Sequence, residues 1–212
     1  MHKKILYFLI PAVYGGLLVT QFVSAQSGGS AMSLHADLRG YSEVPAVSSK
    51  GSGEFRATVS TDEKEIAYEL EYSGLEGTPT MSHIHFGQPL VNGSIMIWLC
   101  TTTAAPITAP AGTPTCPSNP GGKVSGKITA ASIVPIPTQG IAANELAEAL
   151  AAMRSRNAYA NVHTSMSPAG EIRGQIKPGR GVGDDDDDDD DNGKWKGKGK
   201  GKGKDGDDDS AG

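Results

Sequence analysis

Cysteine is nearly absent from this chain of 212 residues, which has only Cys100 and Cys116. A scaffold held together by many disulfides is therefore excluded. Also missing are a Gly-x-Ser-x-Gly nucleophile turn, a phosphate-cradling glycine loop, and a close pair of carboxylates with an obvious cleft. The enzyme classes that depend on those motifs go with them, and the chain reads as non-enzymatic. Long apolar runs are scarce too. The one present, Ile5 to Val23, spans 19 residues without a charge; no other stretch is apolar enough to cross a membrane.

That run follows Met-His-Lys-Lys and ends in Val23-Ser24-Ala25, the pattern of a secretory signal peptide cut after Ala25. Its length would also allow an uncleaved N-terminal anchor. Cleavage is the reading taken here, given Pro11, the Gly15-Gly16 pair and the quality of the cut site. The expectation is thus a secreted protein, extracellular or periplasmic, with no membrane span once the signal is removed. In an oxidising compartment Cys100 and Cys116 should form one disulfide, worth about 3 kcal/mol through loop entropy. It would close a Thr-, Pro- and Ala-rich loop that has no hydrophobic period of its own. Two free thiols acting as metal ligands are the alternative, but a separation of 16 residues matches no common ligand spacing.

Charge is concentrated at the far end. The formal net charge is -5, becoming -7 without Lys3 and Lys4. From Pro178 onward twelve Asp stand against six Lys and Arg180, which leaves about -2 for residues 26–177. Eight consecutive aspartates, Asp184, Asp185, Asp186, Asp187, Asp188, Asp189, Asp190 and Asp191, are followed by Lys-Gly repeats around Trp195. Nothing in 178–212 can bury a core, so this segment reads as a disordered polyampholyte tail. The Asp block could bind Ca²⁺ weakly, or meet a mineral face or a cationic polymer. It could equally be a solubilising tail paired with its own lysines. Blocks of both signs also permit self-association that weakens with salt. The adjacent acid argues against specific nucleic-acid binding.

Between a flexible leader at 26–32 and this tail, the pattern is one of short strands. Leu34–Leu38 alternates, with His35 on the polar side. Phe55, Ala57 and Val59 alternate with Glu54, Arg56 and Thr58, and Ile66, Tyr68, Leu70 and Tyr72 with charged or small residues. An Asn92-Gly93 hairpin signal leads into Ser94–Leu99, apolar on both faces and so expected to be central. Gly122–Thr129 adds another strand. Asn144 is expected to cap the one helix, Glu145–Arg156, with Leu146, Leu150 and Met153 as its buried stripe. The sum is an all-β, antiparallel sandwich or barrel with one short helix.

Within it, Met81-Ser-His-Ile-His-Phe-Gly87 places His83 and His85 on one face of a strand and Ile84 on the other. In Asn157–Thr164, Tyr159, Asn161 and His163 likewise share a face, so a third imidazole could reach the first two. Three such imidazoles could hold Zn or Cu, with water or a carboxylate such as Glu171 in the fourth position. They could also simply hydrogen-bond one another and nearby carbonyls, and the residues leave both possibilities open. Glu171 and Arg173 are candidates for a buried ion pair that locks the last strand.

Leu38-x-Gly40 with Glu43-Val-Pro45, Tyr68-x-Leu70, His83-Ile-His85-x-Gly87, Asn92-Gly93, Tyr159-x-Asn161-Val-His163-Thr164 and Pro168-x-Gly170-Glu171-Ile-Arg-Gly174 together resemble the CHRD domain, named from chordin, over 33–177. The resemblance implies an immunoglobulin-like β fold in an extracellular module of the stand-alone microbial type. It implies no established activity. The expected role is binding or assembly outside the cell, with a protein, polymer or mineral surface as partner. The string His-Ile-His-Phe-Gly is also similar to the His-x-His strand of copper,zinc superoxide dismutases. A two-metal site of that kind needs six histidines and an aspartate, whereas only four histidines follow residue 25 here.

Overall fold

A computed structural model describes residues 31–118 and 121–179. The expected signal segment, most of the expected leader and the aspartate tail lie outside the described residues. Among the described residues, nine strands and one α-helix run in the order β1 (Met32–Arg39), β2 (Ser52–Val59), β3 (Ile66–Ser73), β4 (Pro79–Phe86), β5 (Ser94–Thr101), β6 (Gly121–Ile128), α1 (Leu146–Arg154), β7 (Ala158–Thr164), β8 (Ile172–Gln175) and β9 (Lys177–Pro178). All pairings are antiparallel, in the spatial order β5-β4-β7-β8-β1-β2-β3-β6, with β9 on β1. The result is a nearly closed barrel or sandwich. The folded body reaches slightly beyond 33–177, because Met32 opens β1 and Pro178 pairs with Leu34.

The alternating strands fold as their pattern requires. Leu34, Ala36 and Leu38 of β1, Phe55, Ala57 and Val59 of β2, and Ile66, Tyr68, Leu70 and Tyr72 of β3 are all buried in one core, while the residues between them stay wetter. Cys100 and Cys116 are joined, anchoring the loop after β5.

Three local expectations need correction. The doubly apolar β5 is not central but stands at one end of the hydrogen-bonded path. Its other edge is covered instead by the chain after β6: Ile97 bridges Ile133, and Val134 N–H donates to Met96 O at 2.9 Å. Tyr68 Oη closes the barrel seam by donating to Leu99 O at 2.6 Å. A loop rather than a second flanking strand therefore closes this edge.

Asn144 does not cap the helix. It adopts a left-handed conformation (φ 67), which asparagine tolerates, and Glu145 takes the N-cap position with its carboxylate accepting Ala142 N–H at 2.6 Å. Arg156, also left-handed (φ 60), lies past the end of the shortened helix. The stripe Leu146, Leu150 and Met153 is buried as expected, joined by Ala149 and Ala152.

β4 and β5 do form a hairpin, but through a loop of residues 87–93 rather than a two-residue Asn-Gly turn. The left-handed residue of that loop is Leu90 (φ 65). The side chain of Asn92 reaches across to Val44 O (2.9 Å), and a methyl group at Gly93 would collide with the Phe86 carbonyl oxygen. Gly93→Ala should therefore cost about 1–3 kcal/mol, read as a lower urea midpoint at unchanged slope. An unchanged midpoint would show that the loop can shift freely.

Candidate metal centre

β4 and β7 lie side by side with Met81 opposite His163, His83 opposite Asn161 and His85 opposite Tyr159. Alternation sends Ile84, Ala160 and Val162 into the core, and His83, His85, Tyr159, Asn161 and His163 to the other face. That second face is not wet. Every residue of β7, and every residue of β4 except Phe86, is buried. The covering comes from three directions. Trp98 of β5 meets the His83 ring edge-on at 4.2 Å, the 87–93 loop lies over His85, and the turn before β8 reaches His163.

The structure thus brings together the three imidazoles that strand alternation placed on one side. His83, His85 and His163 are 0, 8 and 6 % exposed, and each offers a ring nitrogen within 4.8 Å of the others. Burial pushes all three below the ordinary histidine range. His83 falls to about 2, with the neighbouring imidazoles adding to the effect, and His85 to about 4 against the opposing pull of the Gly93 carbonyl. His163 is lowered mainly by burial. Neutral rings carry one N–H each, which makes the protons countable.

His85 Nδ1 is 3.0 Å from Gly93 O and His163 Nδ1 is 2.9 Å from Pro168 O. A carbonyl only accepts, so both Nδ1 atoms carry the proton and both Nε2 atoms present lone pairs. His83 Nδ1, 3.3 Å from His163 Nε2, can donate to one of these. This leaves His83 Nε2 and His85 Nε2 buried with no partner. Asn161 Oδ1 also lies 3.1 Å from His163 Nε2, acceptor against acceptor unless the amide is turned to offer its N–H. The face carries a surplus of buried lone pairs, each costly without a donor or a cation. An Nδ1–H held by a backbone carbonyl with Nε2 left bare is the usual arrangement around metal-bound histidine. The residues fit a copper or zinc ion on that count.

The other expected members of the site behave differently. Glu171 and Arg173 do not pair with each other. The Glu171 carboxylate accepts from Ser49 Oγ (2.7 Å), Thr164 Oγ1 (2.7 Å), Glu76 N–H (2.7 Å) and Gly77 N–H (3.2 Å). Burial alone would raise this carboxyl, but those donors together hold it below the usual range. So saturated, and outside the histidine group, it is not the fourth ligand proposed for it. Arg173 instead donates to Asn92 Oδ1, Gln88 O and Val91 O, and its Cζ lies 3.4 Å from the centroid of Tyr159. On the opposite side Tyr159 stacks on His85, with ring centroids 4.8 Å apart and 1° between the planes.

The residue that sequence reasoning missed as a member of the site is Glu43, which entered only through the Glu43-Val-Pro45 string of the family resemblance. It is 6 % exposed and its Oε1 has no hydrogen-bond partner. Burial pushes its carboxyl up to about 7, opposed by the Arg173 charge and by the Val44 backbone and Asn161 side chain. Gly170, at φ 131, packs so closely that a side chain there would strike the carboxylate. The available signal was the Glu-Val-Pro string at 43–45.

A family model described as the CHRD domain matches residues 34–176. The chain belongs to the CHRD domain family. The match takes in Glu43, the three histidines, Glu171 and Arg173, so the buried polar face is part of the CHRD domain itself. No match was found among curated proteins or among solved structures.

Glu43 binds its proton more readily folded than unfolded. Its contribution to stability is complete below pH 4.5 and is lost as pH climbs through about 7. The imidazoles act in the opposite sense, but equally in wild type and variant. In metal-free protein the stability margin of Glu43→Gln over wild type should grow from pH 4.5 to 7 by about 3 kcal/mol and level off above. Urea unfolding at several pH values measures it, and a margin independent of pH would refute the assignment.

Proposed function

We propose that this CHRD domain is an extracellular binding module whose centre, made by His83, His85 and His163, holds a single copper or zinc ion, without catalytic turnover. The observation that carries the reading is the pair of buried Nε2 atoms, on His83 and His85, that have no hydrogen-bond partner. Neutral imidazole suits both ions, and the carbonyl-held Nδ1 atoms of His85 and His163 fix the rings in the tautomer that a ligand needs. Enclosure of all three rings supports binding over turnover, because a substrate would have no approach to them. The Cys100–Cys116 disulfide and the family both fit an extracellular protein, and no helix among the described residues is long and apolar enough to cross a membrane.

Metal analysis of protein purified without an affinity tag tests this. Wild type should carry close to one copper or zinc per chain, and the double variant His83→Ala, His163→Ala should carry almost none while keeping a β-type circular dichroism spectrum. Adding the metal at about a hundred times its Kd should raise the unfolding free energy of wild type by about 2.7 kcal/mol and leave the variant unmoved. Equal metal content in the two proteins would end the proposal.

A further inference from the structure

The charge surrounding the centre bears on which ion it takes. Resting on the three-histidine reading above, we infer that the site favours monovalent copper, Cu(I), over both Cu(II) and Zn(II).

The ligands bring no negative charge. The group whose donor atoms lie within 4.8 Å of one another contains the three histidines and no carboxylate or thiolate. It is also closed to water, and the cost of removing an ion from water rises with the square of its charge. A dication therefore faces about four times the desolvation penalty of a monocation, while its attraction to the same three neutral nitrogen dipoles grows only about twofold.

A fixed positive charge stands close by. The Arg173 guanidinium lies on one face of Tyr159 and His85 on the other, so a single aromatic ring separates that cation from a ligand. Its repulsion acts twice as strongly on a dication as on a monocation. The carboxylate that could have balanced it, Glu171, is taken up by four donors elsewhere. Glu43 supplies at most one negative charge, and that charge is set against Arg173.

Coordination number points the same way. Zinc completes a tetrahedron and Cu(II) prefers a tetragonal set, so both need ligands beyond three imidazoles. Cu(I) is content with two or three nitrogens. The neighbour of His83 on the β5 side is the Trp98 ring, edge-on at 4.2 Å, which offers no ligand atom.

The test is a set of dissociation constants for the metal-free wild-type protein with Cu(I), Cu(II) and Zn(II), each measured by competition with a chelator of that ion, the first without oxygen. Cu(I) should bind tighter than either dication by about a hundredfold or more. Cu(II) or Zn(II) binding as tightly as Cu(I), or tighter, would overturn this inference and leave the three-histidine centre standing. Failure to retain any of the three would sink the centre and the inference together. Arg173→Gln isolates the charge: Zn(II) affinity should rise by about tenfold and Cu(I) affinity by about threefold. Equal gains for the two ions, or none, would show that Arg173 does not set the preference.

Discussion

The arrangement depends on one constraint: β4 and β7 are buried on both faces. One face is ordinary core, built from Ile84, Ala160 and Val162. The other holds three imidazoles, an amide, a phenol and a guanidinium at the same depth. Polar groups removed from water must find partners, so the loops over this face are shaped by hydrogen-bonding demand rather than by apolar contact. Gly93 and Pro168 supply carbonyls to His85 and His163, and the 87–93 loop is held down by three acceptors that converge on Arg173.

Within that layer, Glu171 and Arg173 are kept apart. Glu171 anchors the 76–77 backbone and Thr164 near one end of the strands, while Arg173, two residues on, stacks over Tyr159 and ties the hairpin loop. A direct pair between them would have satisfied both charges at the cost of leaving two backbone segments unanchored. Directing each charge at neutral backbone and side-chain groups instead fastens two separate loops, and it leaves the guanidinium's field directed at the imidazoles.

Much of this was legible in the sequence. Period-two alternation gave the strands, the shared face of His83 and His85, and the matching face of His163. The two cysteines allowed only one intramolecular bridge, and the spacing of Leu146, Leu150 and Met153 gave the helix its buried side. What alternation does not encode is which neighbour covers a face. β5 has the apolar pattern of a central strand, yet its covering came from the chain after β6. The polar face of β7 looks solvent-facing by composition, and it is buried by Trp98 and the 87–93 loop, both distant in sequence, together with the turn that follows the strand. The same non-locality hid Glu43, whose burial depends on Gly170 more than a hundred positions away, and it separated Glu171 from Arg173. Asn144 failed for a local reason: asparagine serves both as a helix cap and as a left-handed turn residue, and neighbouring residues alone do not choose between them.

The pairing of β9 with β1 has a mechanical consequence. Leu34 stands opposite Pro178, and Gly179 N–H donates to Ser33 O at 2.8 Å, so the chain enters and leaves the fold side by side. Tension between the two flanking segments would load these antiparallel strands in unzipping rather than in shear, breaking one hydrogen bond at a time. β9 would peel away first, while the strands bearing the histidines, deeper in the sheet, would feel little of the pull.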